Sequence, residues 1–129
     1  MKDRIRFELD SLFGLLLGMT VLGTGVAKLA GTDFVVATFG GWEDALWTLR
    51  AIGLAEIIAA ALVLIPATRA KGATIIGIVM VGASAYHLSR GEFLAVALPV
   101  ALLVVTSMVL YCRANLSLRE NLEPVREPV

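Results

Sequence analysis

Four apolar stretches, each close to twenty residues long, leave this 129-residue chain few folds to choose from. A helix that crosses the roughly 30 Å hydrocarbon core at about 1.5 Å per residue needs about 20 mostly apolar residues. The first stretch runs from about Ser11 to Ala30 and meets no charge until Lys28. The second, about Ala45 to Pro66, carries Arg50 and Glu56. The third, about Gly72 to Ser89, is uncharged but holds His87, and the fourth, about Phe93 to Cys112, has no charge at all. Hydrophobic residues make up 58% of the chain and charged ones 17%, against about 45–50% and about 25% in soluble domains. The expected fold is an all-α membrane protein: a four-transmembrane-helix bundle filling a single domain, residues 1–129, joined by short polar connections that make neighbours antiparallel.

The same arithmetic excludes several functions. Eleven basic residues balance eleven acidic ones, so no electrostatic footprint for nucleic acid exists. One cysteine and one histidine supply neither an internal disulfide nor a Cys/His metal site. The sequence shows no intrinsic cofactor motif. The first span carries a small-x-small pattern at Gly25-Val26-Ala27, as a cleaved signal peptide would. The mixed-charge head Met1–Asp10 argues against that and for a retained helix.

Counting Lys and Arg orients the chain. One side holds Lys2, Arg4, Arg6, Arg69, Lys71, Arg113, Arg119 and Arg126; the other holds Lys28, Arg50 and Arg90. The richer side is expected to be cytoplasmic, with both termini, in a bacterial-type inner membrane. Trp42 and Trp47 would then mark the outer interface and Tyr111 the inner one. In the linker Gly31–Asp44, Thr32 and Asp33 can cap a short amphipathic helix through Phe34, Val35, Val36 and Phe39, stopped at Gly40-Gly41. The tail Arg113–Val129 reads as a solvated extension. Pro66 ends the second span, and Pro99 is expected to kink the fourth and open space beside it.

Glu56 is the most informative residue. It lies roughly 13 Å below the outer interface by helical rise, where a carboxylate costs several kcal/mol unless paired, hydrated or protonated. It reads either as part of a ligand or proton site, or as half of an ion pair that fastens helices. Its candidate partners are Lys28, His87 and Arg50. Thr20, Thr24 and Lys28 recur every four residues and form a polar stripe on the first helix. Met80, Ala83 and His87 share a face of the third, with Tyr86 adjacent. Arg50 lies about 120° around its helix from Glu56, and both Arg50 and Lys28 are long enough to snorkel outward. The expected polar pocket therefore comprises Glu56, His87, Lys28, Arg50, Thr24 and Tyr86. Ser84, Ser89 and His87 make no nucleophile set, because no carboxylate at their depth is expected to orient the histidine.

The end of the first span, Gly23 to Ala30, echoes the end of the third, Gly82 to Ser89, and the two run on, after one offset, into Gly31-Thr32-Asp33-Phe34 and Gly91-Glu92-Phe93. Matching the two makes Lys28 and His87 positional equivalents.

Gly25-x-x-Lys28-Leu29, Gly53-x-x-Glu56 and Ala83 with His87, in that order, resemble the DoxX and DoxX-like membrane family. Phe39-Gly40-Gly41 and Pro66-Ala67-Thr68-Arg69 look like its connecting segments. The resemblance covers about residues 11–112 and implies a compact four-helix membrane protein. Some relatives are linked to thiosulfate:quinone oxidoreduction, others to membrane complexes that handle oxidative or thiol stress. It thus implies a redox-associated subunit in the bilayer, binding a quinone or similar lipophilic molecule, with a thiol or quinone redox partner. Lys28, Glu56 and His87 match the family's polar positions, and thiol chemistry would need that partner, since this chain lacks a cysteine pair. Against this stand a non-enzymatic assembly or binding protein and a small transporter or proton pathway.

Overall fold

The computed structural model describes residues 1–38 and 45–122, with the side chain of Ala45 also left aside. Phe39-Gly40-Gly41, Trp42, Pro124, Arg126 and Pro128 lie outside the described residues. Among the described residues the chain forms five helices: α1 (Lys2–Ala30), α2 (Asp33–Thr38), α3 (Ala45–Leu64), α4 (Arg69–Ser89) and α5 (Phe93–Leu122). All but α2 are long and apolar enough to cross a membrane, and no strand occurs among the described residues. This is the membrane-spanning four-helix bundle expected from the sequence.

Two helices are longer than their apolar stretches. α1 begins at Lys2, well before Ser11, and α5 runs on to Leu122, so part of the expected solvated tail is helical. At about 1.5 Å per residue α5 is about 45 Å long and overshoots the hydrocarbon. Its last turns meet the start of α1, where Arg119 Nη1 donates to Asp3 Oδ1 at 2.9 Å.

α1 packs on α3 and α5, and α4 on α3 and α5, closing a ring of four helices. Glycines set the α1–α3 register. A Cβ built on Gly25 would meet the Glu56 Cβ at 3.1 Å, and one on Gly53 would meet the Lys28 Cβ at 3.0 Å. Residue 25 facing 56 while 28 faces 53 is an antiparallel pairing, and each glycine clears the space its partner helix's charged residue occupies. Close backbone approach of this kind replaces the hydrophobic effect, which does not drive helices together in lipid. The core is correspondingly compact: Leu17, Val21, Ala59, Ala60, Val63, Ala73 and Ile76 are fully buried. Leu12, Leu15, Leu16, Ile58, Ile78 and Val104 face outward, as a lipid-bathed bundle requires.

The bundle has two polar ends. One, the linker end, carries the C-terminus of α1, α2, the start of α3 and the α4–α5 turn. The other, the termini end, carries the start of α1, the α3–α4 turn and the tail of α5. At the linker end α1 and α4 stop in the same way. Thr32 N–H donates to Ala27 O and Gly31 N–H to Lys28 O, with Gly31 at φ 63°. Glu92 N–H donates to His87 O and Gly91 N–H to Leu88 O, with Gly91 at φ 72°. Both are Schellman caps, which need a left-handed residue that glycine supplies without strain. They superimpose Gly31 on Gly91, so Lys28 corresponds to Leu88 and Ala27 to His87. The equivalence of Lys28 with His87 read from the sequence is one residue out of register.

Candidate functional site

At the linker end all five helices line a cavity of about 330 Å³. Its walls are mostly apolar, with Met80, Leu98, Pro99 and Leu102 opposite the α1 face and Phe34 and Val35 of α2 at the rim. Thr24, Lys28, Glu56 and His87 bring polar atoms into this lining. α5 continues through Pro99, and the proline sits in the wall, where it cannot donate to the carbonyl of Ala95, another lining residue.

Glu56 is 1% exposed and belongs to a compact ion pair. Lys28 Nζ lies 2.7 Å from both carboxylate oxygens, and the Thr24 hydroxyl stands 3.3 Å from Oε2 and 3.0 Å from Val21 O. The polar stripe of α1 thus closes on the one acid of α3. Lys28 is turned inward with 18% of its side chain exposed, so it does not snorkel. Thr20, on the same stripe, is not among the lining residues.

The structure separates the remaining candidates. Arg50 is exposed, with its guanidinium 5.8 Å from the Trp47 ring centroid, and does not line the cavity. Tyr86 also stands outside the lining, packed edge-on against His87 at 5.5 Å between centroids. His87 itself is buried, lines the α4 wall and is oriented by a carboxylate the sequence reading missed. Glu92 Oε2 lies 2.7 Å from His87 Nδ1, and Arg90 Nε donates to Glu92 Oε1 at 2.8 Å. The expectation that no carboxylate orients this histidine was wrong because it searched the same helix depth. The Schellman turn folds residue 92 back onto residue 87. Arg90 also covers the Tyr86 ring at 5.6 Å. Beside Arg90, and then beside His87, the Glu92 carboxyl is held below its usual range, and the Arg90 guanidinium is raised by the same contact.

A second buried cluster, at the termini end, was also missed. Asp10 is fully buried, and Arg69 Nη1 donates to its Oδ2 at 2.6 Å. Arg69 also donates through Nε to Val63 O at 2.8 Å, and its guanidinium lies against Gly14. Arg113 Nη2 stands 3.1 Å from the same Asp10 oxygen. Two guanidinium groups therefore share one carboxylate and tie α1, α4 and α5 together. The signals present in the sequence were an acid just ahead of the first apolar stretch and a glycine one turn after it, at Gly14. Cys112 is buried beside this cluster.

The family model described as DoxX-like family matches residues 12–109. No curated protein and no solved structure matches the chain. The matched span takes in Lys28, Glu56 and His87, together with Glu92.

Proposed function

The chain belongs to the DoxX-like family, and on that premise we propose that it is a redox-associated membrane subunit that binds a quinone or other lipophilic small molecule at the linker end. The single observation that supports the reading is the cavity: apolar walls of a size suited to a small ligand, with a few convergent polar groups at one side. A ring or chain would lie against Met80, Leu98, Pro99 and Leu102. Lys28 and His87 would hold its polar oxygens, and Glu56 would exchange protons with it. Any catalysis belongs to a complex in which this chain is the accessory membrane component, with a thiol or quinone enzyme as its partner.

The test is photolabelling with an alkyl azidoquinone in detergent, read by peptide mass spectrometry. Label on α4 or α5 beside the cavity, competed by unlabelled quinone, supports the reading. Label spread over the lipid-facing residues rejects it.

A second reading draws on the Lys28–Glu56 pair, whose reciprocal glycines suit a fastener between α1 and α3 as well as a site. On this reading the chain is a non-enzymatic assembly partner. We further propose cytoplasmic termini in a bacterial-type inner membrane. Because Cys112 is buried, impermeant thiol labelling needs cysteines introduced at Asp33 and at Arg4 of a Cys112→Ser chain. Reaction at position 33 and none at position 4 in intact cells is expected.

A further inference from the structure

Gly23 is a glycine without a packing reason. Gly14, Gly18, Gly25, Gly53 and Gly72 each let another helix come within 2.9 Å of where a Cβ would stand. A Cβ on Gly23 would meet nothing within 4 Å, and the residue is exposed although it lies in the interior of α1. Glycine there weakens the helix, and neither a close approach nor a left-handed turn compensates. Gly82 of α4 is equally open but lies outside the cavity, whereas Gly23 lines it.

Exposure marks where the cavity opens. Its linings from α3 and the deep part of α4, Glu56 and Met80, are buried; the exposed members are Gly23 of α1, Phe34 of α2 and Leu98 of α5. The mouth therefore lies on the α1–α5 side, under α2. By helical rise Gly23 is about 10 Å from the end of α1 and Leu98 about 8 Å from the start of α5, both inside membrane-spanning helices. Lys28 and His87 stand in the last turns of α1 and α4, while Met80 lies about 10 Å further into the bundle than His87. The cavity is thus polar toward the membrane surface and apolar toward its middle, the order of an amphiphile lying in a bilayer. The path continues down α1: Leu9, Leu16 and Gly23 recur every seven residues, about two turns, and share one face. Leu9 lines, with Phe13, Val104, Met108 and Tyr111, an apolar groove of about 560 Å³ between α1 and α5.

We infer that Gly23 is the sill of a lateral entrance from the bilayer, and that the ligand is a membrane-resident amphiphile with a small polar ring and a long apolar chain. The ring sits in the cavity; the chain leaves across Gly23 and Leu98 and lies along the α1–α5 groove. This rests on the reading of the cavity as a ligand site and gives the shape of what fills it. About 330 Å³ is at the small end of ligand pockets, about 300–1,000 Å³, with room for a ring but not for a ring and a long chain together. A side chain at position 23 would stand where the chain must pass, which accounts for a glycine that nothing else requires.

Two rings test it: tetramethylbenzoquinone, and the same ring with a decyl chain in place of one methyl. Equilibrium binding of both is measured in one detergent for the wild type and for Gly23→Leu, whose helicity and melting temperature should be no lower. The wild type should bind the tailed ring more tightly. Gly23→Leu should weaken the tailed ring by about tenfold or more, as overfilling a contact does, and leave the tailless ring nearly unchanged. A second measurement needs no variant: a diazirine on the second carbon of the decyl chain should label wild-type α1 and α5 around Gly23 and Leu98, competed by the unlabelled tailed ring. Equal weakening of both rings, or of neither, overturns the inference while sparing the binding reading, and so does label confined to α3 or α4. A wild type that binds neither ring rejects both.

Discussion

The two buried charge clusters, at opposite ends of one bundle, are built on different principles. At the linker end a single ammonium meets a single carboxylate, 2.7 Å from each oxygen, beside a cavity that reaches across all five helices. At the termini end two guanidinium groups share one Asp10 oxygen, the neighbouring groove is lined by α1 and α5 alone and by no charged side chain, and Arg69 Nε is spent on the Val63 carbonyl. Among the described residues Asp10 Oδ1 and two nitrogens of Arg113 make no hydrogen bond. A buried ion pair stabilises only when geometry and hydrogen bonds repay desolvation, whereas removing one partner always leaves a stranded charge. The termini end is therefore a clamp whose failure is expensive. The linker end is a paired site with room beside it.

The largest effect should come from stranding the clamp. Asp10→Asn leaves Arg69 and Arg113 without their counter-ion, and we expect a loss of about 3–5 kcal/mol, seen as a collapse of the detergent melting temperature. Replacing Arg69 and Arg113 by methionine and leucine in the same chain should restore much of it. A variant as stable as the wild type would abolish the distinction between the ends. Glu56→Gln should cost less, about 1–3 kcal/mol, because Lys28 sits in the last turn of α1 and its long stem can carry the ammonium to water. Its main effect should be lost ligand retention. If instead its melting temperature falls as far as that of Asp10→Asn, and Lys28→Met restores it, the linker end is also a clamp and the proposed site fails.

What the sequence disclosed follows the same division. Glu56 was legible because it interrupts an apolar run, and the polar stripe of Thr24 and Lys28 was legible because helical spacing is periodic. Asp10, Arg69 and Arg113 were read as a head, a loop and a tail, since each lies at the edge of an apolar stretch where charge is ordinary. Their meeting depends on how far α1 and α5 extend, and hydropathy does not mark where a helix ends once it leaves the bilayer. Arg50, about 120° around the helix from Glu56, was open to the cavity rim or to snorkelling, and the structure has it exposed, beside Trp47. Glu92 was overlooked because depth along the helix was counted without the turn that reverses it.

Glycine substitutions probe both ends at once. A Cβ on Gly53 would lie 2.7 Å from Gly25 O, backbone against backbone, so α1 and α3 must part. Gly53→Ala is expected to cost about 1–3 kcal/mol and to loosen the Lys28–Glu56 pair with it. Gly14→Ala would press on the Arg69 guanidinium, 2.5 Å away at Nε, and should be of similar size if the clamp is rigid. Gly23 has nothing within 4 Å of an added Cβ, so Gly23→Ala should raise stability by up to about 1 kcal/mol through helix propensity alone. Thermal denaturation of the three variants in one detergent checks the ranking; an equal loss in Gly23→Ala, whose Cβ meets nothing, would show that close helix approach does not set the cost at Gly14 and Gly53.

The smallest effect belongs to the turn that joins α4 to α5. Glu92 is held below its usual carboxylate range by the Arg90 hydrogen bond first and the His87 hydrogen bond second. Because its value is lower in the folded than in the unfolded chain, its contribution is present above the ordinary carboxylate value of 4.5 and lost as pH falls through the lowered one. The wild type should therefore lose a small increment of stability on acidification below pH 4.5 that Glu92→Gln does not lose. All other carboxylates are common to both chains, so their contributions cancel when the two melting temperatures are subtracted. Salt should shrink the difference, since the Arg90–Glu92 pair stands at the surface where ions screen it. A difference that grows as the pH falls would mean that the Glu92 carboxyl is worth more protonated than charged, and the contact with His87 would then be a hydrogen bond from the acid and not to the carboxylate.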